Sequence, residues 1–353
     1  MPSDQPKRRD FIRLLGGAAA VRSAAALALQ TATATAQDKP AAVKLRLAVG
    51  GKSAIFYLPL SVTERLGYFK DVGLDVEIAD VQSGARALQS LIGGSADIGI
   101  GTFDHTIQMQ AKGQPVVAVV QYGRYPGFVL GTIASKAIAY QGPQNLKGLK
   151  IGVTSPGSST HFMAAYMLVR SGLKQDDASF VGVGVTSTAV AAVRRGEIDA
   201  IVSSDPMISL MQSEGLVRIV ADTRTPAGAQ AVYGGPYPGG VVYTTPAFIE
   251  NNPSAVQAVV TAFVRALKWM ATHSAEDIAR LMPEEYALGN KEVYTRALSA
   301  SQEMYSRDGS FIEGAADTAY QVLKVFDASV ANAKIDLSKT FVTGFVQKAV
   351  AEN

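Results

Sequence analysis

Between residues 44 and 204 the chain alternates two periodicities. Short β-branched apolar runs, "KLRLAVGG" (44–51), "GLDVEIADV" (73–81) and "ADIGIG" (96–101), are separated by stretches with apolar residues at helical spacing, "FYLPLSVTERLGYFKDVG" (56–73) and "ARALQSLIGG" (85–94). The order then repeats. "LKIGVT" (149–154), "ASFVGVGV" (178–185) and "IDAIVSS" (198–204) alternate with "STHFMAAYMLVRSG" (159–172) and "TAVAAVRRG" (188–196). Strands alternating with helices predict a parallel α/β sheet, here built twice. Residues 87–102 lie over 189–204 without a gap, so that Ala87 meets Ala189, Gly94 meets Gly196 and Asp97 meets Asp199. This predicts a duplicated β-α-β-α-β unit.

Two lobes follow from that repeat. The segments "YGRYPGFVLGTIAS" (122–135) and "VYGGPYPGGVVYTTP" (232–246) read as the crossings between them. The expected first lobe is 43–132 with 243–353, and the second is 133–242. After 250 the pattern is helical, as in "NPSAVQAVVTAFVRALKWMATH" (252–273), "EVYTRALSASQEMY" (292–305) and "AADTAYQVLKVFDASVANA" (315–333). These helices are expected to complete the first lobe, with Trp269 as a core residue. Ligands of open α/β sheets bind beyond the carboxyl ends of the strands. The strand-end loops of two facing lobes therefore predict a cleft between them.

Charge changes little once the N-terminus is set apart. Residues 1–36 have the layout of an export signal: Lys7, Arg8 and Arg9, a weakly apolar run, then Ala-x-Ala sites. The stretch Arg8-Arg9-Asp10-Phe11-Ile12-Arg13 resembles the twin-arginine motif, and Arg22 leaves the apolar run too short to span a bilayer. The chain has 33 Lys+Arg and 30 Asp+Glu, of which five and two fall in 1–36, so residues 37–353 balance. There is no general attraction to nucleic acid. With no Cys in the chain, disulfides, thiolate catalysis, thiolate metal sites and a lipid-anchored Cys are excluded, and His105, His161 and His273 are too scattered for a multi-histidine metal site. No metal or cofactor is expected.

Four stretches carry a family resemblance: "LPLSVTERLGYFKDVGLDVEI" (58–78), "GSADIGIGTFD" (94–104), "LKGLKIGVTSPGSSTHFMAAYMLVRSGL" (146–173) and "AAVRRGEIDAIVSSDP" (191–206). Together they resemble the nitrate/sulfonate/taurine-type substrate-binding proteins of ABC importers, a group related to the pyrimidine-synthesis proteins of the NMT1/THI5 type. The resemblance implies a type II periplasmic binding fold, a periplasmic monomer, capture of a small anionic organic solute, and delivery to a permease. The synthesis enzymes carry a cysteine-rich iron motif, which this chain lacks.

Candidate site residues follow from the strand ends. Ser158, Ser159 and Thr160 stand at the start of the helix after "KIGV", where hydroxyls and free backbone N–H groups either cap the helix or hold an anion. The same stretch allows an enzyme reading, with Ser158 as nucleophile and His161 as base, but no Gly-x-Ser-x-Gly elbow surrounds it. Otherwise His161 is a pocket wall. Ser53 would face this cluster from the first lobe, with Lys52 as added charge or a solvated surface residue, and Phe56 and Tyr57 as an apolar wall or simple packing. Thr102, Phe103 and Asp104 border the cleft, Asp104 binding an amine or capping its helix, while His105 reads as structural. Asp205 either holds a cationic group or starts the next helix. Ser83, Gly84 and Thr186 occupy equivalent βα corners, and Tyr233 and Tyr237 read as hinge or lid contacts. Asp97 and Asp199, on the end away from the cleft, read as turn or capping residues.

Overall fold

The apolar runs become strands where expected. The computed structural model describes residues 42–352; the predicted export signal, 1–36, lies outside them. The first sheet contains β1 (Val43–Val49), β2 (Leu74–Asp80), β3 (Ile98–Thr102) and β4 (Val117–Gln121). The second contains β5 (Val129–Ile133), β6 (Lys150–Val153), β7 (Ser179–Gly182), β8 (Ala200–Ser203) and β9 (Val217–Asp222). β10 (Gly240–Thr244) returns to the first sheet. The strand orders are β2-β1-β3-β10-β4 and β7-β6-β8-β5-β9.

The duplicated unit is visible in that order. β1 pairs in parallel with β2 and β3, and β6 does the same with β7 and β8. Each parallel trio is extended by an antiparallel strand that has just crossed from the other lobe, β10 beside β3 and β5 beside β8. The strand ends beside the cleft are therefore contributed by both halves of the chain. β3, β4, β5, β8 and β10 are buried along their whole length, as continuous apolar runs require. Gly99 in β3 makes room for the Tyr243 ring of β10, which would stand 2.2 Å from a Cβ there.

Three expectations are corrected. Residues 129–132, assigned by sequence to the first lobe, belong to the second sheet as β5, and 240–242 belong to the first as β10. The Gly/Pro signals mark the crossings, but the β-branched residues beside them already pair in the destination sheet, so the crossings are 122–128 and 223–239. The C-terminal helices do not serve the first lobe alone. Pro253–Met270 packs on it through Val256, Val259, Val260, Phe263 and Leu267, spaced for one helical face. Ala315–Phe326 also packs against the second-lobe helix Ser159–Arg170, where Phe162 and Phe326 lie 5.6 Å apart. Trp269 is half-buried at the edge of the core, stacked on His273 at 3.9 Å, because a large indole at the end of an amphipathic face need not be enclosed. Among the described residues no helix is long and apolar enough to cross a membrane.

Candidate functional site

The strand-end loops of the two lobes meet. Between them lies a cavity of about 20 Å³, lined from the first lobe by Gly50, Phe56, Tyr57, Gly84, Thr102 and His105, and from the second by Thr154, Ser158, Ser159, Thr160, Val185 and Ser204, with Phe128 from a crossing. That volume holds roughly one water. The cleft is shut by direct bonds between lobes. Thr102 Oγ1 and Ser159 Oγ are 2.5 Å apart, Ser155 Oγ donates to Ser83 Oγ at 3.0 Å, and the Ile55 N–H donates to the Asp205 carbonyl at 2.8 Å.

Two helix N-termini border the cavity. Ser83 is the extended residue before the helix Gly84–Ile92, and its hydroxyl accepts the Arg86 N–H at 3.2 Å. Ser158 precedes the helix Ser159–Arg170 in extended conformation but makes no such cap, so the Ser159 and Thr160 N–H groups have no partner among the described residues. Unpaired N–H groups and the helix dipole make a positive end suited to an anion. No Lys or Arg lines the cavity.

The second-lobe hydroxyls form a network. Ser158 Oγ donates to the Ser155 carbonyl at 2.7 Å, Thr154 Oγ1 donates to Ser158 Oγ at 2.8 Å, and Thr160 Oγ1 accepts the Thr154 N–H at 3.0 Å. Ser159 Oγ donates to Asp104 Oδ1 at 2.7 Å, and Tyr237 donates to Asp104 Oδ2 at 3.1 Å. Asp104 is thus a bridge between the lobes and the second crossing, where the Tyr237 ring stacks on Tyr233 at 4.0 Å. The first-lobe wall is aromatic: Phe56 packs on Tyr57, Tyr122 and Phe128 with ring centroids 4.8 to 5.8 Å apart. Burial raises the Tyr57 phenol well above its ordinary pKa, so it stays protonated.

Of the sequence-predicted residues, Phe56, Gly84, Thr102, Ser158, Ser159 and Thr160 line the cavity, and Ser83 and Asp104 tie the lobes together beside it. The remaining five lie off the cavity. Ser53 is only half-buried, because the turn to the short helix at Ile55–Tyr57 carries the chain past it. Phe103 turns to the opposite side, 6.1 Å from Phe341, since successive side chains at a strand end alternate. His161 accepts the Gly157 N–H at 3.1 Å and meets Phe180 edge-on at 4.3 Å. Its burial holds the imidazole below its ordinary pKa. With Ser158 bonded to a carbonyl and His161 to an amide, no Ser–His pair forms. The Thr186 hydroxyl bonds Thr188 at 3.3 Å, and its carbonyl accepts the Ala189 N–H at 3.0 Å. Asp205 is spent at its own helix start, accepting the Ser209 N–H at 3.0 Å, and pairs with Arg224 at 2.8 Å. Lys52 pairs with Glu64.

His105 was read from sequence as structural, yet it lines the cavity. It is fully buried, its Nδ1 is 3.5 Å from the Tyr243 hydroxyl, and its Nε2 has no partner. Burial lowers its pKa against the opposing pull of Asp104, favouring the neutral ring. A buried ring nitrogen without a hydrogen bond calls for an explanation, and the Gly157 backbone lies near enough to the ring to oppose the shift as well. The sequence signal was present: His105 is the second residue of a helix that starts at a strand end, Asp104–Ala111.

Two α/β lobes closed over a polar cavity define the type II periplasmic-binding-protein fold. The chain belongs to the NMT1/THI5-like family, whose sequence profile matches residues 56–277. A solved structure of a protein from Bordetella bronchiseptica RB50 is 43% identical, with a TM-score of 0.85 over 88% of this chain and 98% of that one. The alkanesulfonate-binding protein SsuA from Xanthomonas axonopodis pv. citri, bound to MOPS, shares the fold at 18% identity and a TM-score of 0.67, over 87% of this chain and all of that one. Among curated relatives, YtlA of Bacillus subtilis (strain 168), named provisionally as a binding protein, is 24% identical over 80% of this chain and 81% of its own. A 4-amino-5-hydroxymethyl-2-methylpyrimidine phosphate synthase from Aspergillus parasiticus is 23% identical over 72% and 74%. The curated relatives thus carry names of both kinds, a binding protein and a synthase.

Proposed function

We propose that this chain is a periplasmic solute-binding protein of an ABC importer, a monomer that closes about its two crossings on a small anionic organic solute and delivers it to an inner-membrane permease. Residues 1–36 would direct its export by a twin-arginine-like signal. The observation that carries the reading is the uncapped N-terminus of Ser159–Arg170 at the interlobe cavity, with two backbone N–H groups unpaired and the buried His105 Nε2 unpartnered beside them. The anionic group would be held by those donors, without a basic side chain. The ligand's apolar part would rest on Phe56, Phe128 and Val185. Since ligand sites of this kind occupy about 300–1,000 Å³, the cleft must open to load.

The enzyme alternative loses its proposed Ser158–His161 pair, and the absent Cys removes the cysteine-rich motif. A thermal-shift screen over sulfonates, carboxylates and nitrate tests the reading. An anion at ~100 times its Kd should add about 2.7 kcal/mol of stability. A melt raised by neutral heterocycles and by no anion would sink it.

A further inference from the structure

A serine or threonine hydroxyl has one proton to give and two lone pairs to accept with. Ser159 gives its proton to Asp104 Oδ1. In the 2.5 Å contact between Thr102 and Ser159, Thr102 must then be the donor. Both residues line the cavity, and both hydroxyl protons are committed to the protein. What this pair turns toward a ligand is lone pairs. Asp104 is 1% exposed, its two oxygens held by the Ser159 and Tyr237 hydroxyls, with no ion pair among the described residues. The unpaired N–H groups of Ser159 and Thr160 and the imidazole of His105 complete a cavity that presents donors and acceptors side by side. A bare oxyanion would satisfy the N–H groups but would meet lone pair with lone pair at Thr102 and Ser159.

We propose that the cleft selects a solute carrying a hydrogen-bond donor, an O–H or N–H, beside its anionic group, and that Asp104 is the positioning residue that enforces this by taking the Ser159 proton. The proposal rests on the anion reading above and deepens it. Asp104 itself stays off the ligand.

Matched probes differing only in a hydroxyl test it: ethanesulfonate against 2-hydroxyethanesulfonate, and propionate against 2-hydroxypropionate, titrated calorimetrically into the purified protein. The hydroxylated member of each pair should bind about tenfold more tightly, the worth of one well-placed hydrogen bond. Asp104→Asn offers an amide that can donate to Ser159 and release the serine proton to the cavity, so the preference should vanish or reverse. Tyr237→Phe removes the other bond to Asp104 and should keep the preference. If Asp104→Asn does not fold, Ser159→Ala replaces it and should lose the preference. Equal binding of both members by the unaltered protein, or an unchanged preference in Asp104→Asn or Ser159→Ala, overturns the proposal while leaving the anion reading standing. Binding of no probe overturns both.

Discussion

The two lobes are built on one plan, and they agree at one end and differ at the other. Away from the cleft, Asp97 Oδ2 accepts the Arg46 N–H at 2.8 Å while its own N–H donates to the Arg46 carbonyl; Asp199 does the same with Lys150, at 2.9 Å. Each carboxylate pins its lobe's first strand, Asp97 at the middle of β1 and Asp199 at the first residue of β6. At the cleft end, Gly50 follows β1 where Thr154 follows β6. The first loop buries Phe56 and Tyr57 in an aromatic cluster, whereas the second opens into a hydroxyl network and an uncapped helix. The scaffold end is fixed by strand geometry that both lobes must satisfy. At the cleft end the first lobe supplies most of the apolar contact, beside Thr102 and His105, and the second lobe most of the polar contact, beside Val185.

The largest expected effect separates those two contributions. Phe56→Ala removes a ring 2% exposed and in contact with three others, and should cost about 3–5 kcal/mol in denaturant unfolding. Thr160→Ala in the opposite loop loses the hydroxyl bonds and one buried methyl and should cost about 1–2 kcal/mol. Equal costs would mean the second loop is as much a packing element as the first, and the comparison would fail.

Gly50 sharpens the same contrast. A Cβ there would stand 2.3 Å from the Gly84 N–H nitrogen, backbone that cannot yield without moving the helix Gly84–Ile92. Gly50→Ala should cost about 2–3 kcal/mol by overpacking, measured as a lower melting temperature with an unchanged denaturant slope. Thr154→Ala, at the matching place in the second lobe, should cost about half as much, through its bond to Ser158.

Much of this was legible before any coordinates, for reasons that vary by residue. The repeat was readable because burial on both faces of a parallel sheet writes a run of apolar residues that a solvent-facing strand would not. The loops around Ser158–Thr160 and Thr102 were readable because strand ends place them. Which side chain turns inward was not. Phe103 and Thr102 are neighbours on one strand end, and only register decides that Thr102 faces the cavity. Asp205 was ambiguous between ligand and helix start until Arg224, nineteen residues away in sequence, appeared beside it. β5 and β10 hid inside the Gly/Pro crossings, where turn signals outweighed five-residue apolar runs.

The pins at the other end should break equally. Asp97→Ala and Asp199→Ala each leave a first-strand N–H without its carboxylate and should cost about 1–2 kcal/mol apiece. The ion pair of Asp97 with the half-exposed Arg46 should add little, because solvent screens it. Unfolding midpoints differing by more than about 0.5 kcal/mol between the two variants would show that the duplicated ends no longer do the same work.

The smallest effect is in the pH dependence, and it again divides the lobes. Burial lowers the pKa of both His105, in the first lobe, and His161, in the second. A histidine depressed in the folded state is protonated first in the unfolded chain as pH falls. Stability is therefore full above about pH 6.5, the unfolded value, and declines as pH drops toward the folded values. For the fully buried His105 the loss by pH 6 should be at most about 1 kcal/mol. His161 is open to solvent on one side and should contribute less. Melting curves from pH 7.5 to 5.5 on His105→Gln and His161→Gln separate the two: the first should remove most of the slope, the second only part. A slope that survives His105→Gln would mean that His105 titrates alike in the folded and unfolded chain, so that the ring takes up its proton at the cavity as pH falls. The first-lobe side of the cleft would then gain a positive charge at acid pH, facing the hydroxyl network of the second.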